Sequence, residues 1–297
     1  MPPATPTPVL LPEIIILIAE CLGDDVQSIS NLYKTNKVTR RTLCSCLYRS
    51  VHIKSANSVA SLCQVSTKLR PSELGNIRSL QIGPNWSRHS AAYRMQGNLV
   101  PSLRSALEIM PHLRSLSLSI TPGALNDLLE AIDPPFQLIE FIHSGELTSS
   151  LAAFLQKQPS ITRLGWHSLF FEEQFEYLSN LLMDKVSFLP ALGELAGPML
   201  LLSGLIPRRP ITKVRVMYHT LSFLRLESPM SGFSCPMGRL SSLCIIEYRP
   251  TWQNVTALIS NLEATCVRST LKEVHVIEAF TVRFIAPTLY TALLTLP

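Results

Sequence analysis

Apolar and polar positions recur in two rhythms along the chain. A short pattern, apolar-x-x-apolar-x-apolar, is seen at Ile77–Ile82, Leu113–Leu118, Ile161–Trp166, Ile211–Val216, Leu243–Tyr248 and Leu271–Val276, with weaker copies at Leu138–His143 and Leu192–Gly197. Its last three positions alternate, the period of a strand with one buried face. The central positions are 80, 116, 141, 164, 195, 214, 246 and 274, a mean spacing near 28. Between the copies, residues 100–110, 123–132, 148–158, 171–183 and 252–266 carry apolar side chains at three-and-four spacing. That is the period of an amphipathic helix. One strand and one helix per unit bury little alone, so neighbouring units must stack.

The first fifty residues follow a different rhythm. Residues 1–8 hold four prolines and predict a disordered lead-in. A helix is predicted from Pro12, which suits a first helical position, to an exit at Gly23. Ile14, Ile15, Ile16, Leu17 and Ile18 are consecutive, so this helix is apolar on every side. A helix resting on one core needs only one apolar stripe, and the excess predicts a second surface to cover it. Two more short helices are predicted, one capped by Ser28 over 29–34 and one over about 36–48.

Leu11-Pro12-Glu13, then Ile18, Leu22, Ile29, Leu32, Lys37, Arg40, Leu43 and the closing Leu47-Tyr48-x-x-Val51 resemble an F-box over roughly residues 9–53. The resemblance implies docking on the Skp-type adaptor of a cullin–RING ubiquitin ligase through Leu11, Pro12, Ile14, Ile15, Ile18, Leu22, Ile29 and Leu32. The sequence departs from the family at Asn36-Lys37-Val38-Thr39, where family members often carry an aromatic residue at the last position. The following residues, 54–297, resemble the irregular leucine-rich repeats found behind F-boxes in many fungal proteins, and repeats of about 20–29 residues fit the observed period. The fold expected is an α+β or α/β solenoid: a three-helix F-box followed by an irregular leucine-rich-repeat horseshoe. The chain ends Leu294-Thr295-Leu296-Pro297, where a further repeat is expected to begin.

Composition adds bounds. Of 297 residues 48 are leucine, and charged residues make up 16%, against about 25% in ordinary domains. A formal charge of +5, read as unclustered beyond Arg208-Arg209 and the third helix, gives little basis for nucleic-acid binding. Seven cysteines, an odd number, predict reduced thiols rather than a disulfide framework, and Cys44-x-Cys46 lacks a second zinc-spaced pair. The apolar stretch at 191–206 contains Glu194, two glycines and Pro198 and is too broken for a membrane span. No phosphate loop, zinc-protease or nucleophile-elbow motif occurs, and the seven histidines are scattered. No enzyme, cofactor or metal is expected.

The expected function is a substrate-recruiting subunit in the cytoplasm or nucleus, with an unknown target protein held by the repeats. Strand alternation exposes Gln81, Ser117, Glu140, Arg163, Lys213, Arg215, Glu247, Glu273 and His275. The loop after Gly83 offers Trp86 as a further contact. Two alternatives are a ubiquitin-independent repeat scaffold with a degenerate F-box, which Thr39 favours, and an enzyme whose pocket the motifs do not show.

Overall fold

The computed structural model describes residues 10–22, 25–55, 58–62, 64, 74–83, 99–130, 132–144, 148–167, 188–198, 202, 205–206, 209–217, 240–247 and 271–278. The lead-in, the Trp86 loop, the predicted helices at 171–183 and 252–266 and the chain end lie outside them.

Three helices open the chain: α1 (Pro12–Leu22), α2 (Val26–Tyr33) and α3 (Lys37–Leu47). The expected Ser28 cap of α2 is replaced by Asp25, whose carboxylate accepts from the Ser28 N–H at 3.1 Å and from Ser28 Oγ at 2.6 Å. These bonds hold the Asp25 carboxyl below its ordinary value. They satisfy donors that a helix start otherwise leaves open. Asn36 opens α3 in the same way, accepting from the Thr39 N–H at 2.8 Å. Ile15, Ala19 and Leu43 form a small core of their own, with Leu32, Tyr33 and Cys46 packed around it.

Nine strands follow: β1 (Ser50–Ile53), β2 (Ser79–Ile82), β3 (Ser115–Leu118), β4 (Glu140–His143), β5 (Arg163–Trp166), β6 (Glu194–Gly197), β7 (Lys213–Met217), β8 (Ser242–Glu247) and β9 (Glu273–Glu278). All pair in parallel, in chain order, in one sheet with β1 and β9 at its edges. Helices α4 (Leu99–Glu108), α5 (Pro122–Glu130) and α6 (Ser149–Gln156) connect successive strands, and adjacent helices touch. Thr148 caps α6, accepting from the Leu151 N–H at 3.2 Å.

This corrects the expected architecture. The structure is an α/β arrangement built on one all-parallel sheet, not a three-helix F-box followed by a leucine-rich-repeat horseshoe. Its first strand lies inside residues 9–53, which were expected to be a helical domain. Val51 and Ile53 alternate with Ser50 and His52, and it is the pairing of this segment with β2 that makes it a strand.

The strand entries are uniform. Before each strand after β1, the carbonyl of the residue just ahead of the preceding strand accepts two successive N–H groups. Arg49 O accepts from Arg78 and Ser79, Arg78 O from Arg114 and Ser115, and the series runs on to Ser241 O, which accepts from Lys272 and Glu273. One face of the sheet packs inward: Leu80 and Ile82, Leu116 and Leu118, Phe141 and His143, Leu164 and Trp166 are all buried. They join Leu103, Leu107, Leu125, Leu128, Leu151 and Leu155 from α4–α6 in one extended core. Gln158 is fully buried beneath β4, where its amide donates to Phe136 O at 3.2 Å and accepts from the Leu138 N–H at 2.7 Å. Gly83, at φ +104°, leaves β2 against Ser119, where a Cβ would approach the Ser119 Cβ to 2.5 Å.

Candidate interaction surfaces

The expected adaptor-contacting residues divide by side of α1. Leu11 is 65% exposed and Ile14 42%. Pro12 is exposed, Ile18 and Leu22 are half-buried, and Leu32 packs against the small core. Ile15 and Ile29 are buried. They are corrected from contact residues to core residues, since a side chain inside its own unit has nothing left to offer a partner. The outward stripe has members that the motif did not name: Leu10, and Leu17 at 54% exposure. Residues 14, 17 and 18 lie on one side of a 3.6-residue helix, so the period itself held this signal, and Leu10 lies just ahead of the helix. Thr39, the departure from the family pattern, is buried, at 3% exposure.

The outward face of the sheet carries two registered rows. One runs Ser50, Ser79, Ser115, Glu140, Arg163, Glu194, Lys213, Ser242, Glu273. Its charges alternate and satisfy one another: Arg163 lies 3.7 Å from Glu140, Lys213 lies 3.0 Å from Glu194, and Ser115 Oγ donates to Glu140 at 2.7 Å. The second row runs His52, Gln81, Ser117, Ile142, Gly165, Ala196, Arg215, Cys244, His275. Of the expected target contacts, Arg163, Lys213, Arg215 and Glu273 are exposed and Gln81 and His275 half-buried, whereas Ser117 is buried. His275 lies 3.6 Å from Glu273. In the ladder Glu247 lies beside Glu278, and Cys244 takes the place beside His275 where the repeat pattern put Glu247. The strand starts three residues earlier than the repeat pattern placed it, with Leu243 rather than Ile246 beside Val214.

Several described titratable side chains are held inside the fold. His143 is fully buried, stacked on Phe141 at 5.3 Å and edge-on to Trp166 at 4.2 Å. Burial, with His167 nearby, pushes it down to about 3, so it is neutral at pH 7. His167 is pushed down to about 4 by burial and by Arg215. Burial raises the Cys244 thiol, the opposite of what an activated nucleophile needs. Arg209, read in sequence as part of a basic pair, is buried, and its guanidinium donates to Phe188 O at 2.9 Å and Leu205 O at 3.0 Å. Among the described residues no group of three or more His, Cys, Asp or Glu is placed to hold a metal ion, and no helix is long and apolar enough to cross a membrane. The described strand order does not reverse, and it is at a reversal that open α/β sheets form their ligand crevice. No protein-family model and no curated protein matches the chain.

Proposed function

We propose that the chain is a substrate-recruiting subunit of a cullin–RING ubiquitin ligase, with α1–α3 docking on a Skp-type adaptor and the sheet holding a target protein. The observation that carries this reading is a set of exposed apolar side chains, Leu10 and Leu11 just before α1 and Ile14 and Leu17 on it, while Ile15 and Ala19 of the same helix already fill a core. Large aliphatic side chains gain about 1.5–3 kcal/mol each on full burial, and a contiguous apolar patch marks an interaction site. The likeness of residues 9–53 to an F-box supplies the class of partner. Thr39 is buried, so the departure from the family pattern is off the exposed surface that a partner would meet. The subunit performs no chemistry: it raises the effective concentration of target lysines beside a charged enzyme. A cytoplasmic or nuclear location goes with this role.

The test is co-purification of the full chain with the adaptor, comparing wild type with Leu11→Ala/Pro12→Ala. Adaptor recovered with wild type and lost with the variant supports the reading. Equal recovery from both, or none from either, contradicts it and favours a ubiquitin-independent scaffold.

A further inference from the structure

Charge is strongly segregated along the chain. Residues 26–107 hold twelve Lys or Arg and one acid, Glu73; the remaining residues hold fourteen Lys or Arg and twenty acids. The fold gathers part of this excess. Arg49, Arg78 and Arg114 occupy the same position before β1, β2 and β3, linked directly through the backbone: Arg78 N–H donates to Arg49 O at 2.9 Å and Arg114 N–H to Arg78 O at 2.7 Å. All three are exposed. The ion pairs of the described residues involve none of them, and the nearest acid in the rows, Glu140, is engaged by Ser115 and Arg163. Like charges on neighbouring strands destabilise a sheet, so three arginines at adjacent ladder positions, with no acid paired to them among the described residues, are a cost that a partner would remove. The next position of the ladder is Ile139, 38% exposed, whose N–H donates to Arg114 O at 2.7 Å.

We infer that this edge binds an acidic segment of another protein, laid across the strands with carboxylates over Arg49, Arg78 and Arg114 and an apolar side chain over Ile139. Three strands span about 10 Å, the reach of two or three acidic side chains on an extended peptide. Single-stranded nucleic acid is the poorer fit, because its sites interleave cations with aromatic platforms and gain nothing from an aliphatic end such as Ile139. The inference stands apart from adaptor docking, since it uses neither α1 nor its exposed stripe.

The test is fluorescence anisotropy of the full chain with three labelled probes: a glutamate-rich 12-mer ending in two leucines, the same peptide with glutamine for glutamate, and a dT12 oligonucleotide. The acidic peptide is expected to bind best, and more weakly as salt rises. Arg49→Gln/Arg78→Gln/Arg114→Gln is expected to weaken it about tenfold, a modest contribution from each exposed pair. The triple lysine variant is expected to keep most of the binding and to report that the edge still folds. Lys272→Gln, at the same ladder position before β9, is expected to leave binding unchanged. Acidic-peptide affinity that is absent in wild type, or unmoved by the glutamine variant, overturns the inference. So does tighter binding of dT12, which would make the edge a nucleic-acid surface.

Discussion

Ile14 and Ile15 are consecutive in α1, yet Ile14 is 42% exposed and Ile15 1%. Their Cα–Cβ bonds leave the helix about 100° apart, so one faces outward and the other fills the small core with Ala19 and Leu43. The pair separates what holds the helical unit together from what it offers to a partner.

The first prediction follows directly. Ile15→Ala removes packed atoms from a core that has few, and large-to-small core changes of this kind cost about 2–5 kcal/mol. Ile14→Ala removes exposed atoms and is expected to change stability by less than about 0.5 kcal/mol. Thermal melts of the two variants check this; similar losses would place both residues in the core.

Gly83→Ala tests the exit of β2. The residue holds a left-handed φ, and its N–H donates to Ile53 O at 2.8 Å, tying β1 to β2. A side chain there meets both backbone strain of about 1–3 kcal/mol and the Ser119 Cβ. The denaturation midpoint is expected to fall by at least that strain, whereas Gly123→Ala, with open space around it, is expected to be neutral or slightly stabilising.

His143 makes stability depend on pH. Its folded value is pushed down to about 3 from an ordinary 6.5. Below pH 6.5 the unfolded chain takes up a proton that the folded chain refuses, so this contribution is complete above pH 6.5. It is lost as pH falls toward 3, at about 1.4 kcal/mol per pH unit. Urea midpoints measured between pH 7 and pH 4 are expected to decline, and His143→Phe is expected to flatten part of that slope. An unchanged slope would show that His143 takes up its proton as readily in the fold as in the unfolded chain.

Much of this architecture was legible in the sequence, one strand at a time. Leu80, Leu116, Phe141, Leu164, Leu195 and Val214 are the central residues of their strands where the recurring pattern put them, because alternation is a local property. What joins the strands is not local. That Ser50–Ile53 begins the sheet depends on pairing with Ser79–Ile82 across 26 residues, and a four-residue strand after a helix carries too little pattern to outweigh a motif that runs through it. In β8, Leu243 and Ile246 both fit the pattern, and only the pairing with Val214 chooses between them. On α1 the motif named Ile15 and omitted Leu17 because it assigned roles by order along the chain, where the helical period assigns them by side. The arginine edge went unread because a chain total of +5 averages basic residues 26–107 against an acidic excess on either side of them.

The most direct test of the central claim is a binding isotherm of purified Skp-type adaptor on the full chain and on Leu11→Ala/Leu17→Ala, with melting curves of both proteins alongside. Adaptor docking through the exposed stripe predicts saturable binding by wild type, at least about tenfold weaker binding by the variant, as expected when interface anchors are truncated, and melting curves that coincide. No binding by wild type, or equal binding by both, would contradict it.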